Sequence, residues 1–62
     1  MRPMVGDRVK IDPESESNYV TKDSRGTVLR TNQVVTEVLW DSHPVSTVEW
    51  TSDLSREEDQ NV

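Results

Sequence analysis

Two kinds of side chain in this sequence suit acid–base or metal chemistry: carboxylates and a single histidine. Four carboxylates lie close together near the start of the chain, at Asp7, Asp12, Glu14 and Glu16. Paired carboxylates can act as general acid and base or bind a hard cation. Glu14 and Glu16 alternate with serines, however, and have no apolar neighbours that would raise a carboxyl pKa. The pattern therefore predicts a solvated loop rather than a catalytic site.

His43 precedes Pro44 at a point where the chain is expected to turn. With one histidine and no cysteine, no second imidazole and no thiolate can complete a metal site or a serine-type triad. The two glycines, Gly6 and Gly26, form no phosphate-binding loop, and we expect them to serve turn geometry where strands begin. We therefore predict a protein that is not an enzyme and has no catalytic residues, no metal site and no cofactor.

Basic side chains form the best candidate for a binding site in the sequence. Arg8 and Lys10 are expected to face outward on the first strand, and a barrel would bring the other basic residues near them because its first strands are neighbours. Such a stripe could contact nucleic acid or an acidic protein patch. Tyr19 is the best exposed aromatic candidate beside it. The candidate partner-binding set is Arg8, Lys10, Tyr19, Lys22, Arg25 and Arg30. Interleaved carboxylates leave open the alternative of a balanced, solvated face.

Length and composition favour one small β domain. The chain has 62 residues, of which 31% are hydrophobic, and ten Val and six Thr stand against no Ala and no Phe. The net charge is −5, with a net of +1 over residues 1–30 and −6 over residues 31–62. No apolar run approaches the length of a membrane span, and the first residues lack a signal-peptide core. We expect a cytoplasmic protein with one mildly basic and one acidic region.

Alternating residues predict the strands. They cover residues 5–12, 26–31, 34–41 and 45–50, with a helical turn at 51–54 and a brief last strand at 55–56. Residues 14–25 form a long loop, and Asn32 and Gln33 form a tight turn in which Asn tolerates a left-handed conformation. The expected core is Val9, Ile11, Val28, Val38, Trp40, Val48, Trp50 and Leu54.

These elements predict an all-β fold, a small SH3-like barrel of four to five antiparallel strands. The barrel spans residues 1–56, and residues 57–62 form a disordered acidic tail. A split barrel or an OB-like barrel is the structural alternative. Both tryptophans fall on the expected inner face, and the chain has too few aromatic residues for a methyl-lysine cage.

Three segments carry a resemblance to known families. The stretches 5–11, 25–28 and 37–41 resemble the opening, the glycine-led second strand and the third strand of KOW-type SH3-like barrels. The stretches 8–15 and 26–28 are also similar to PsaE, the small SH3-like subunit of photosystem I. The similar pieces cover roughly residues 5–54. The resemblance implies an SH3-like fold, and for the KOW-type families it implies contacts with RNA.

The function hypothesis is a non-enzymatic protein-interaction module. It would act as a small accessory or regulatory subunit that docks on a larger protein or complex, in part by presenting acidic charge to a basic partner. The alternative is a KOW-like module that binds RNA or DNA through the basic residues and Tyr19, which a steep salt dependence would reveal. Membrane insertion is not expected.

Overall fold

The computed structural model describes residues 3–57 and is all-β, as predicted. Five strands form one antiparallel sheet: β1 (Arg8–Ile11), β2 (Gly26–Thr31), β3 (Val35–Trp40), β4 (Thr47–Trp50) and β5 (Leu54–Arg56). A single 3₁₀ turn, Thr51–Asp53, links β4 to β5 at the place where the sequence predicts a helical turn. No helix within residues 3–57 is long and apolar enough to cross a membrane.

The sheet has the strand order β4-β3-β2-β1-β5. The first four strands follow one another as a meander, and β5 returns to pair with β1. The edge strands β4 and β5 are not hydrogen-bonded to each other, so the barrel is not closed by a complete ladder. A register shift between Val28 and Arg30 interrupts the β2–β3 pairing. Such a bulge bends its strand, which helps a single sheet cover its own core.

The core lies on one face of this sheet. It contains Val9, Ile11, Val28, Val38, Trp40 and Leu54, all from the predicted set, and Val20 of the long loop packs against it. The predicted alternation in β3 is confirmed, because Thr36, Val38 and Trp40 are buried while Leu39 is exposed. The buried hydroxyl of Thr36 bonds those of its neighbours Thr31 (2.7 Å) and Thr51 (2.8 Å). A polar side chain is thereby satisfied inside the core.

Gly26 is required where β2 crosses the largest core residue. It pairs directly with Trp40 across the ladder. A Cβ at this position would lie 2.6 Å from Val38 Cγ1 and 3.0 Å from Trp40 Cε3. Gly6 serves the expected turn role, with a φ of 91° and open space around it.

The predicted orientation of β4 is wrong. Val48 and Trp50, expected in the core, are 58% and 60% exposed, whereas Glu49 is only 6% exposed. The pairing of β3 with β4 explains the inversion. Glu49 lies directly opposite Thr36, which is buried, so the side chain of Glu49 points to the same inner face. Glu49 and Thr47 find hydroxyl and indole partners inside, so the polar face of this strand is the one that turns inward.

Three smaller expectations also differ from the structure. Lys10, expected to face outward, is 5% exposed. The turn after β2 uses no left-handed residue: the Asn32 Oδ1 accepts the backbone N–H groups of Val34 (2.8 Å) and Val35 (2.9 Å). β4 begins at Thr47 and not at residue 45. Of the predicted tail, residues 58–62 lie outside the described residues, while Glu57 forms an ion pair with Arg25 (3.3 Å from Oε1 to Nε).

Candidate partner-binding groove

A groove of about 320 Å³ lies between the long loop and the edge strand β4. The loop contributes Glu16, Ser17 and Tyr19, and the sheet contributes Val35, Val48 and Trp50. Tyr19, Val48 and Trp50 are all more than half exposed. Large apolar side chains that share one depression and remain in water are typical of a binding surface. Asn18, Glu49 and Asp53 complete the lining, and we call this set of nine residues the groove.

Backbone pairing fixes the apolar side of the groove. Val35 lies directly opposite Trp50, and Glu37 directly opposite Val48, in the β3–β4 ladder. The N–H of Thr51 donates to the carbonyl oxygen of Val34 (2.9 Å), so Val34 and Thr51 form a hydrogen-bonded pair. The two pair types alternate along an antiparallel ladder, and Val35–Trp50 and Glu37–Val48 are therefore non-hydrogen-bonded pairs. Non-hydrogen-bonded pairs bring side chains closest, and Val35 therefore supports Trp50 from the neighbouring strand.

Short polar contacts hold the loop side in place. The hydroxyl of Ser17 donates to Glu49 Oε1 (3.1 Å) and accepts the backbone N–H of Tyr19 (3.1 Å). Val20, the next residue, packs against the core. Tyr19 thus lies between the hydrogen-bonded Ser17 and the partly buried Val20, and its ring is left exposed at the groove.

Glu49 is a buried carboxylate at the base of the groove. Thr47 Oγ1 accepts the indole N–H of Trp40 (2.8 Å) and donates to Glu49 Oε2 (2.9 Å), while Ser17 donates to the other oxygen. No ion pair joins Glu49 to a lysine or arginine within residues 3–57. Its negative charge is therefore held by hydroxyl donors, and it lines the groove together with Asp53 and Glu16.

The predicted basic residues do not form one surface. Arg8 donates to Asp41 through both guanidinium nitrogens, one of them at 2.8 Å from Nη1 to Oδ1, and the backbone of Arg25 bonds Asp41 as well. Arg30 lies at the other end of β2, about 16 Å of strand away from Arg25, and pairs with Glu37 (3.2 Å). Two of the arginines are therefore near each other and the third is distant.

The two lysines are also spread apart. Lys10 is buried in β1, and Lys22 donates from Nζ to the carbonyl oxygen of Pro13 (2.5 Å) across the loop. Tyr19 lies at the groove, whereas Arg30 and its partner Glu37 line a neighbouring depression that shares Val35 and Val48 with it. Of the predicted set, Tyr19 is the member that lines the groove.

Two surface carboxylates have lowered pKa values. The hydrogen bonds from Arg8 lower the pKa of Asp41, and the pKa of Arg8 is raised in return. The backbone N–H of Glu14 and the hydroxyl of Ser55 lower the pKa of Asp12. These are structural contacts of exposed groups, and no cluster of acidic or histidine side chains within residues 3–57 is arranged to bind a metal.

Sequence reasoning missed Val35, Val48, Glu49 and Trp50 as groove residues. A signal was present, because Glu49 lies between Val48 and Trp50 and strict alternation allows either face to be the inner one. Choosing the apolar face as inner follows the usual rule for a half-buried strand. The deciding partners, Ser17 and Thr47, are recognisable only in the folded structure.

Comparison with known proteins yields no relative: no protein-family model matches the chain, and no significant match is found among curated proteins or solved structures.

Proposed function

We propose that this protein is a non-enzymatic protein-interaction module, a cytoplasmic accessory or regulatory subunit that binds a larger protein through the groove. The observation that carries the proposal is the exposure of Tyr19, Val48 and Trp50 around a single depression. Aromatic residues at the centre of such a patch supply much of the binding energy of protein interfaces. Their exposure in the free chain is otherwise unfavourable.

Charge supports a protein partner over nucleic acid. The groove carries carboxylates from Glu16, Glu49 and Asp53, and Arg8, Arg25 and Arg30 are each paired with a carboxylate. Nucleic-acid binding needs lysine or arginine side chains that are free to neutralise phosphates, because the counterions released from those phosphates supply much of the affinity. The net charge of −5 acts in the same direction.

A matched pair of valines tests the proposal. Val48 lines the groove and Val45 does not, although both are exposed, at 58% and 66%. Cross-linking in the native cell should give a stoichiometric complex for the wild type and for Val45→Ser, with at least a tenfold loss for Val48→Ser, about 1.4 kcal/mol. Equal complex formation by both variants, or no complex with the wild type, would contradict the proposal.

A further inference from the structure

The open edge of β4 lies within the groove and has backbone groups without a partner strand. Because Thr47, Glu49 and Thr51 direct their backbone groups to β3, those of Val48 and Trp50 point away from it. Within residues 3–57, β4 pairs only with β3, and no loop backbone bonds Val48 or Trp50. An extended chain placed in the groove would find these N–H and C=O groups beside it.

We propose that the groove binds an extended partner segment with the pattern apolar–basic–apolar, which adds to β4 as a sixth strand. This inference rests on the proposed function and specifies the chemistry of its partner. The two apolar positions would pair with Val48 and Trp50, and the basic position would fall opposite Glu49. Strand addition of this kind gives affinity through the main chain and selectivity through alternate side chains.

Glu49 is the reason for the central basic position. Its carboxylate is buried and has hydroxyl donors but no cationic partner within residues 3–57. Directly opposite residues of an antiparallel pair have their Cβ atoms about 5 Å apart, a distance that a lysine or arginine side chain spans easily. Glu16 and Asp53 add negative charge to the same groove.

The same residue argues against a second copy of this chain as the occupant. Two copies could pair their β4 strands in an antiparallel, two-fold arrangement. If both Val48 and Trp50 take part, Val48 of one copy lies opposite Trp50 of the other. Glu49 of one copy then lies directly opposite Glu49 of the second. Like charges in directly opposite positions destabilise a strand pair, and an inward-pointing charge is a common protection of sheet edges. Pairing of β4 with a second copy of itself is therefore disfavoured, whereas pairing with a strand that has a central basic residue is favoured.

Capped peptides of five residues test the proposal directly on the full chain. The probe has the central sequence Val-Lys-Val with flanking threonines, and its matched control has Val-Glu-Val. NMR titration should place the shifts at β4 and Tyr19, with the lysine peptide binding about tenfold or more tighter than the glutamate peptide. N-methylation of the two valine amides should weaken binding by a similar factor, because it removes the main-chain donors.

Variants assign the selectivity to one residue. Glu49→Gln should remove the preference for the lysine peptide, while Glu14→Gln, which alters an exposed carboxylate outside the groove lining, should keep it. If Glu49→Gln does not fold, Asp53→Asn combined with Glu16→Gln should reduce the preference by a few-fold. Equal affinity for both peptides, absence of binding, or a stable homodimer of the wild type would overturn the proposal.

The outcomes also separate this inference from the proposed function. If the lysine peptide does not bind but Val48→Ser still releases a cellular partner that Val45→Ser retains, the groove binds proteins by another mode. If neither peptide nor partner responds to Val48→Ser, both proposals fail.

Discussion

The two tryptophans of this chain lie on adjacent strands in opposite environments. Trp40 in β3 is fully buried, donates its indole N–H to Thr47 and packs beside Gly26. Trp50 in β4 is 60% exposed and lines the groove with Tyr19. The difference shows that residue type alone does not place a side chain in so small a domain. The register of its strand against the neighbouring strand decides which face the side chain occupies.

The largest expected effect comes from removing the buried ring. Trp40→Ala should cost on the order of 3–5 kcal/mol, comparable with the whole stability of a domain of this size, on the order of 5 kcal/mol. Thermal melts should show a largely unfolded variant. Leu39→Ala, on the exposed face of the same strand, should stay folded and lose less than about 1 kcal/mol. A folded Trp40→Ala beside an unfolded Leu39→Ala would contradict the observed register of β3.

Filling the space beside the same ring should have the next largest effect. Gly26→Ala forces a Cβ against Val38 and Trp40, and overpacking of this kind costs about 1–3 kcal/mol. Denaturant unfolding measures the loss. A denaturation midpoint equal to that of the wild type would contradict this prediction, because it would mean that β2 and β3 can move apart at Gly26 and Trp40 without loss of stability.

Replacing the exposed ring should leave stability nearly unchanged. Trp50→Ser is expected to shift the free energy of unfolding by within about 0.5 kcal/mol and to abolish partner binding. Emission spectra sharpen the contrast: Trp50→Phe leaves Trp40 alone, with a blue-shifted spectrum poorly quenched by acrylamide, whereas Trp40→Phe leaves a red-shifted, easily quenched Trp50. Similar quenching in the two variants would show that the environments do not differ.

The smallest expected effect concerns two surface carboxylates outside the core and the groove, Asp12 and Asp41. The folded pKa values of Asp12 and Asp41 are lowered, so their contribution to stability is complete above the ordinary aspartate pKa of about 3.9 and is lost as the pH falls through the lower folded values. Melting temperatures should be level near neutral pH and fall in acid. Asp12→Asn should make the acid decline shallower. A decline that begins well above pH 5 would indicate a different titrating group.

The all-β class, the bounds of β2 and the inward face of β3 were predictable from the sequence. Repeated Val and Thr favour strands over helices, and in β3 Thr36, Val38 and Trp40 share one face while the charged Glu37 lies on the other. Such local signals are strong because a one-residue slip would place Glu37 in the core at a high desolvation cost. The candidate site was less predictable: of its predicted residues, Tyr19 lines the groove.

Only the tertiary structure decided which face of β4 is buried. Val48 and Trp50 alternate with Thr47 and Glu49, so the strand's own pattern is compatible with either orientation. The hydroxyl of Ser17, which is 32 residues away in sequence, and the chain of donors from Trp40 through Thr47 make the inward position of Glu49 favourable. A buried carboxylate is tolerated only where such partners meet it. These partners come from a distant loop and a neighbouring strand, so they contact Glu49 only in the folded chain. The groove depends on the same contacts.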